Sequence, residues 1–278
     1  MSTPITGRVI GDGAYKVTGF QRKGRMGDLY VARRTSDDMR VSIKLLHPEA
    51  LEDPEVVNRF RQEAQVSATI DHLNTLRVLA SGEIESGQPF LVIEYLEGDT
   101  LDELLEEQKT LPVMRVANLA SQIAAGLGAA HRHGIIHRDL SSSNIMVCEL
   151  DGVPDIVKIL DFGLAHTEGA ALTQAGVRIG NPTYMAPEYI DEYEVEPRSD
   201  LYSLGILMWE MLVGEPPFIG RPHQVLEMHV DNAPPPPSSR NPDVPEWMDA
   251  IVLRLLKKSP EDRPVDADEV LDALELTV

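Results

Sequence analysis

From residue 15 to about residue 92, apolar residues come in brief β-type runs at 15–20, 28–33, 40–46, 76–83 and 90–93, rich in Val, Ile, Leu and Tyr. Polar or glycine clusters such as Thr35-Ser36-Asp37-Asp38 and Glu85-Ser86-Gly87 separate them, as turns separate strands. One stretch keeps a different period. Within 53–70, Val56, Phe60, Ala64 and Ser67 recur at three- and four-residue spacing and share one helix face. Five strands and one helix predict a small α+β unit over 15–95, preceded by a loose leader at 1–14. Past Glu94 the pattern turns helical, predicting a larger unit over 96–278. Segment 100–108 opens on Thr100 with Glu103 three positions on, a capping box. Segment 113–133 is periodic and stops at Gly134, and 201–213 is almost wholly apolar and closes on Gly214, as glycine C-caps do. Further helices are predicted at 224–230, 247–257 and 267–274. The proline run 234–237 lies among them and reads as a rigid connector.

Composition narrows the classes. There is no run of 18 or more uninterrupted apolar residues to span a membrane, and residues 1–13 lack the basic and apolar regions of a secretory signal. The single cysteine, Cys148, excludes an internal disulfide framework and reads as a small buried hydrophobe in a reducing, cytoplasmic setting. The net charge of −20 is uneven: 12 Lys and Arg against 13 Asp and Glu up to residue 95, then 13 against 32. Such a negative field argues against nucleic acid and anionic lipid as partners.

Chemistry enters with a set of ordered motifs. His137-Arg138-Asp139 is followed by Asn144 five residues after the aspartate, and Asp161-Phe162-Gly163 begins 22 residues beyond Asp139. Ala186-Pro187-Glu188 lies 25 further on, while Val41-Ser42-Ile43-Lys44 sits on a predicted strand, with Glu63 19 residues later in the predicted helix. Asp200, Gly205 and Arg263 complete the series. Together these residues resemble the protein kinase catalytic domain over about 15–276. Stretches 41–46, 234–241 and 259–264 are most similar to bacterial eukaryotic-like Ser/Thr protein kinases.

The resemblance implies a bilobal protein-kinase-like α+β fold, with a five-stranded antiparallel sheet lobe bearing one helix and a larger, mainly helical lobe. It implies phosphoryl transfer from ATP with Mg²⁺ or Mn²⁺ to Ser/Thr hydroxyls of protein substrates, a reaction that needs charge neutralisation and positioning above all. Lys44, paired with Glu63, would hold the phosphates; Asn144 and Asp161 would hold the metal; Asp139 would orient the substrate hydroxyl and accept its proton. Gly24, Gly27, Leu29, Ser42, Ile93, Glu94, Leu96 and Met146 would join Lys44 around the nucleotide. His137 and Phe162 would pack beneath the site, Glu188 and Arg263 would form a buried ion pair, and Asp200 would cap the catalytic-loop backbone. Thr173, and after it Thr167, would take an activating phosphate in segment 164–185. The resemblance admits a homodimer, and it is compatible with a chain that is the cytoplasmic part of a longer membrane protein.

Departures bear on activity. The glycine-rich loop reads Arg22-Lys23-Gly24-Arg25-Met26-Gly27-Asp28-Leu29, so arginine replaces its first glycine, and the earlier Gly11-Asp12-Gly13 lacks a hairpin context. Ser42 stands where the family usually has alanine against the adenine ring. Ser141 replaces the lysine that touches the γ-phosphate, and Asn181 replaces the threonine that contacts it. A direct hydrogen bond between Ser141 and Asn181 is the expected neutral substitute, with Arg22 or Arg25 restoring charge. Losing one electrostatic donor to a transition state costs roughly 10²–10³ in rate. An active kinase is the leading reading; the alternative is a pseudokinase that binds ATP or partners with weak or no transfer. Glu97, Asp99, Asp102, Glu103, Glu106 and Glu107 suggest a preference for basic residues near the target hydroxyl.

Overall fold

A computed structural model describes residues 5–24, 26–162, 181–192 and 194–275. The chain divides into unit 1, Met1–Asp71 with Leu76–Glu97, and unit 2, His72–Thr75 with Gly98–Val278.

Unit 1 is built on alternation. Strand β2 (Tyr15–Lys23) buries Tyr15 and Val17 and exposes Lys16 and Thr18, the pattern of a sheet with one wet face. It joins β1 (Val9–Ile10), β3 (Gly27–Arg34), β4 (Arg40–Leu46), β5 (Val78–Glu83) and β6 (Pro89–Glu94) in the order β1-β2-β3-β4-β6-β5, antiparallel throughout. Central β4 is covered on both faces, and Val41, Ser42 and Ile43 are all buried. Helix α1 (Pro54–Ser67) starts where the Asp53 carboxylate accepts the Glu55 N–H at 2.9 Å and Pro54 takes the first helical turn. It buries Phe60, Ala64 and Ser67 together with Glu63.

The sheet has six strands, one more than predicted, because the segment read as a leader folds into it. Ile5 is fully buried and Ile10 nearly so, both in the core with Tyr15, Val17 and Phe90. Gly11, Asp12 and Gly13 all take positive φ and turn β1 into β2, so the hairpin context read as missing is present. A Cβ at Gly11 would sit 3.2 Å from the Tyr15 ring. Two isoleucines in a polar stretch are too sparse a pattern to announce a strand, yet they suffice to close one edge of the core.

In unit 2 the helices carry the mass. Helix α2 (Leu101–Gln108) has the expected capping box, with the Thr100 N–H donating to Glu103 Oε2 at 2.9 Å. The others are α3 (Val113–His131), α4 (Pro187–Asp191), α5 (Pro197–Val213), α6 (Pro222–Asp231), α7 (Glu246–Leu255) and α8 (Ala267–Glu275). Helix α5 starts four residues before the apolar run, at Pro197, and ends on Gly214 at φ +89°. Gly205 lets α7 approach it, since a Cβ there would lie 2.8 Å from Leu255 Cβ. A three-stranded sheet, β7 (Gly98–Thr100), β8 (Ile145–Leu150) and β9 (Val153–Ile159), is absent from the sequence expectation: β7 is only three residues long, and neither β8 nor β9 alternates regularly between buried and exposed positions. Cys148 is buried on β8. The loop His72–Thr75 belongs here too: Asn74 Nδ2 donates to Val157 O at 3.0 Å, and the Ile159 N–H donates to Asn74 O at 2.8 Å. Among the described residues no helix is long and apolar enough to cross a membrane.

Two buried polar groups lock the far end of this unit. Arg263 places all five N–H donors, two on the Glu188 carboxylate at 2.7 and 2.8 Å and the rest on the carbonyls of Lys257, Arg198 and Lys258. His229, fully buried, meets the Tyr202 hydroxyl at 2.8 Å and packs edge-on to Phe218. Burial, helped by the Lys258 charge, pushes the His229 imidazole down to about 4. A folded-state value below the unfolded one means the unfolded chain binds the extra proton, so His229 favours folding least in acid. Between pH 6.5 and about 4 this group is expected to cost on the order of 2–3 kcal/mol of stability. Urea melts across that window are expected to show a shallower acid slope for His229→Gln than for the wild type; equal slopes would refute the assignment.

Candidate active site

In unit 1 the register of β4 and the pitch of α1 bring one charged pair together. Lys44 Nζ lies 2.8 Å from Glu63 Oε1, with side chains 18% and 5% exposed. A lysine or a glutamate buried this far without an opposite charge would be costly, so each holds the other in place. Leu29 faces Lys44 across β3 and β4. The β2–β3 turn needs its two glycines for space: a Cβ on Gly24 would stand 2.4 Å from Gly27 O, and one on Gly27 2.3 Å from Leu45 O. Asp28, 2% exposed, meets His47 Nε2 at 3.0 Å, and the His47 N–H donates to Met26 O at 2.9 Å. That double tie from the turn to the end of β4 had no motif to announce it. Arg25 lies outside the described residues.

Ser42 is 2% exposed, and its hydroxyl donates to Gln21 Oε1 at 2.9 Å. On β6, Ile93 faces Ser42, while the Glu94 N–H donates to Arg77 O and its carboxylate accepts the Arg77 N–H at 2.9 Å. Leu96 is buried just beyond. Arg40 stacks 3.8 Å above the Tyr95 ring and pairs with Glu97 at 2.8 Å, which stiffens this end of the unit.

In unit 2 the Asp200 carboxylate on α5 organises the loop around Asp139. It is fully buried and accepts the His137 N–H at 2.9 Å, the Arg138 N–H at 2.9 Å and His131 Nε2 at 2.7 Å. Burial alone would raise its pKa, but the His131 hydrogen bond, the His131 and His137 charges and the Arg138 amide outweigh burial and hold it low. Those bonds keep Arg138 at φ +68°, a left-handed conformation that a non-glycine residue adopts only when held. His137 Nε2 donates to Leu160 O at 2.8 Å, and its ring meets Phe162 edge-on at 4.9 Å.

Asp139 is gripped at both ends. Its carbonyl accepts Asn144 Nδ2 at 2.8 Å and its Oδ1 accepts the Asn181 N–H at 3.2 Å. The Leu160 N–H donates to Asn144 O at 2.9 Å, so Asn144 stands beside the residue that precedes Asp161, itself at φ +54°. Met146 on β8 lies opposite Thr100 and Lys158. Among the described residues no three His, Cys, Asp or Glu side chains could hold a metal ion by themselves. With its amide nitrogen engaged, Asn144 keeps an oxygen to offer, and Asp161 adds carboxylate oxygens. That hard donor set suits Mg²⁺, which takes the remainder of its shell from phosphate and water.

The expected Ser141–Asn181 bond is absent. Ser141 is 2% exposed and pairs with Ser143 across 3.1 Å, Oγ to Oγ. Asn181 spends its side chain as a cap, Oδ1 accepting the Thr183 N–H at 3.1 Å, and reaches Asp139 through its backbone instead. A neighbouring relay had gone unread: Ser142 Oγ meets the Tyr184 hydroxyl at 2.8 Å, which donates to Glu210 Oε2 at 2.6 Å. Burial, ahead of the Tyr184 hydrogen bond that opposes it, raises the Glu210 carboxyl. Gly163, Thr167 and Thr173 lie outside the described residues.

The protein kinase domain family matches residues 20–273. The chain is 37% identical to the serine/threonine-protein kinase pkn3 of Myxococcus xanthus over 96% of its length and 51% of that protein's. It is 36% identical to the serine/threonine-protein kinase PknB of Mycolicibacterium smegmatis, over 92% of this chain and 41% of that one. It therefore spans about half, or less, of these relatives. Among solved structures, the PknI kinase domain of Mycobacterium tuberculosis superposes with a TM-score of 0.74 at 25% identity, covering 100% of both chains. On the match across residues 20–273 and these identities, the chain belongs to the protein kinase domain family.

Proposed function

We propose that the chain transfers the γ-phosphoryl group of Mg²⁺-ATP to serine or threonine hydroxyls of proteins. The observation that carries this reading is the Lys44–Glu63 pair, kept at 2.8 Å although both side chains are largely buried. Such a pair gains little net stability, so its upkeep points to a use. Lys44 binds nucleotide phosphates in this reading, and Asn144 and Asp161 hold Mg²⁺, which neutralises phosphate charge when bound. Asp139, fixed from both sides, orients the substrate hydroxyl. As the hydroxyl oxygen bonds to the γ-phosphorus and the bond from that phosphorus to the β,γ-bridging oxygen breaks, Asp139 takes the proton and ADP leaves. The same reading puts the chain in the cytoplasm, and it includes autophosphorylation at Thr173 or Thr167.

The second reading, a pseudokinase, has two supports: the loop 141–143 is Ser-Ser-Ser, with no cation, and Arg22 stands in place of the first glycine of the glycine-rich loop. Against it, each of those hydroxyls is hydrogen-bonded, and the Asp139 and Asn144 arrangement is intact.

A preference for basic substrates rests on fewer carboxylates than the sequence suggested. Glu103 is spent on the α2 cap and Glu97 on Arg40. Asp99, Glu106 and Glu107 are exposed, with no ion pair among the described residues.

Label from γ-labelled ATP is expected on the protein itself and on a generic basic protein, and to fall by roughly 10³-fold or more in Asp139→Asn. Label equal in the two proteins would sink the kinase reading. Restoring a cation through Ser141→Lys with Asn181→Thr is expected to raise kcat by roughly tenfold or more; unchanged turnover would mean the loop is already compensated. A peptide array is expected to show Arg and Lys enriched near the target, and Asp99→Lys with Glu106→Lys is expected to raise KM for such peptides roughly three- to tenfold at low salt. A flat array would remove the charge argument.

A further inference from the structure

The turn that joins β3 to β4 reads Arg33-Arg34-Thr35-Ser36-Asp37-Asp38. Backbone bonds set its shape: the Asp38 N–H donates to Arg34 O at 2.9 Å and the Arg34 N–H to Met39 O at 2.8 Å. Two hydroxyls stand at its tip, and only one is spoken for. Thr35 Oγ1 donates to Gly13 O at 2.9 Å and the Thr35 N–H to Ala14 O at 2.8 Å, which ties that residue to the β1–β2 turn. Ser36 is exposed, and its hydroxyl has no partner among the described residues. Beside it, Arg33 is bonded to Asp38 at 2.7 Å and Arg34 to Asp37 at 2.9 Å, with all four side chains 33% exposed or more. Surface pairs of this kind contribute about 0–1 kcal/mol, so an incoming carboxylate can take either arginine at little cost. Ser259 also follows two cations, but there Lys258 is turned away, its Nζ donating to His229 O at 2.6 Å.

We propose that Ser36 is a phosphorylation site, and that the kinase acting on it is a second copy of this chain. The inference rests on the Ser/Thr kinase reading given above and on its preference for basic residues near the target. Distance rules out transfer within one chain. Arg40 precedes Lys44 by four residues, roughly 13 Å of strand, and Ser36 lies further out at the tip of the hairpin. A hydroxyl in line for transfer has to come within roughly 3–3.5 Å of the reacting atom, and a turn fixed by its own two strands cannot swing back to phosphates on Lys44. Between copies the charges match. The turn offers two arginines just ahead of its free hydroxyl, while residues 96–278 carry 32 acidic against 13 basic side chains, with Asp99, Glu106 and Glu107 exposed among them. In the step itself, Ser36 Oγ of one copy bonds to the γ-phosphorus of ATP held by the other. The bond from that phosphorus to the β,γ-bridging oxygen breaks, Asp139 of the second copy takes the hydroxyl proton, and ADP leaves. The phosphate brings a charge of about −1.5 to −2, draws Arg33 and Arg34 onto itself and so withdraws the cations that attracted the acidic surface.

Site mapping by mass spectrometry on the whole chain tests this, with isotope-labelled Asp139→Asn chain as substrate, a smaller amount of wild type as enzyme, and Mg²⁺-ATP. Phosphate is expected on Ser36 of the Asp139→Asn chain, at an initial rate proportional to the wild-type concentration, and not when the Asp139→Asn chain is incubated alone. Arg33→Gln with Arg34→Gln in the substrate chain is expected to slow modification of Ser36 roughly three- to tenfold at low salt. Melting checks the fold of that variant, and if it melts early, added salt on the unaltered chain is expected to slow the same modification instead. Ser36→Ala in the enzyme is expected to leave transfer to a generic basic protein unchanged. Unmodified Ser36 in a sample that labels the generic protein, phosphate on Thr35 in its place, or label on wild-type Ser36 with none on the Asp139→Asn chain overturns the proposal while leaving the kinase reading intact. A wild type that labels neither itself, the Asp139→Asn chain nor the generic protein overturns the kinase reading, and the role of Ser36 with it.

Discussion

The Asp200 carboxylate is the constraint on which the catalytic loop depends. Removed wholly from water, it has to be met by donors, and three converge on it: two backbone amides of the loop and the His131 ring. The cost of an unmatched carboxylate is what makes the loop conformation singular. Arg138 stays left-handed, at a cost of roughly 1–3 kcal/mol, because relaxing it would remove a donor from a buried charge. The position of Asp139 follows from that conformation, and the grip of Asn144 on the Asp139 carbonyl follows in turn. Helix α5 can impose this because it is buried on nearly every side and ends firmly on Gly214.

The same rule of matched burial recurs at Lys44–Glu63 and at Arg263–Glu188, and it separates what the sequence discloses from what it hides. A cap closes within one helical turn, so the Thr100–Glu103 pair was legible from its spacing alone. Lys44 with Glu63, 19 residues apart on a strand and a helix, came from the family resemblance. Glu188 with Arg263 was legible only through the family resemblance, since 75 residues separate them. The long apolar run of α5 was legible from hydropathy, although its true start at Pro197 was not, since the first turn is polar.

What stayed hidden is carried by contacts without a period. Ile5 and Ile10 are two apolar residues in a polar stretch, and nothing local says that the core edge near Phe90 needs them. Strand β7 is only three residues long, and its partner β8 lies far along the chain, with Gly98 opposite Cys148. Asp28–His47, Gln21–Ser42 and Ser142–Tyr184–Glu210 are all polar pairings between segments 19 to 42 residues apart. Ser141 and Asn181 show the converse error. Both differ from the family, and a direct bond between them was the simplest inference, yet each had a nearer partner: Ser143 two residues on, and the Thr183 amide two residues on. Short polar side chains bond locally whenever the backbone offers a group within reach.

That local satisfaction bears on whether the site works. A loop that had merely drifted would be expected to leave polar groups without partners, because nothing would maintain their geometry. Here the three hydroxyls that replace the charged segment are all engaged, and the residues that set distances, Asp139, Asn144 and Asp200, keep theirs. Phosphoryl transfer asks a protein for positioning and for charge. Positioning cannot be supplied from outside the fold, since it comes from buried bonds such as those on Asp200. Charge can be shared: in the reading proposed above, Lys44 and a bound divalent ion would act on the same phosphates as the lysine that Ser141 replaces. On that reading, a chain that keeps the first and lacks part of the second loses rate before it loses function.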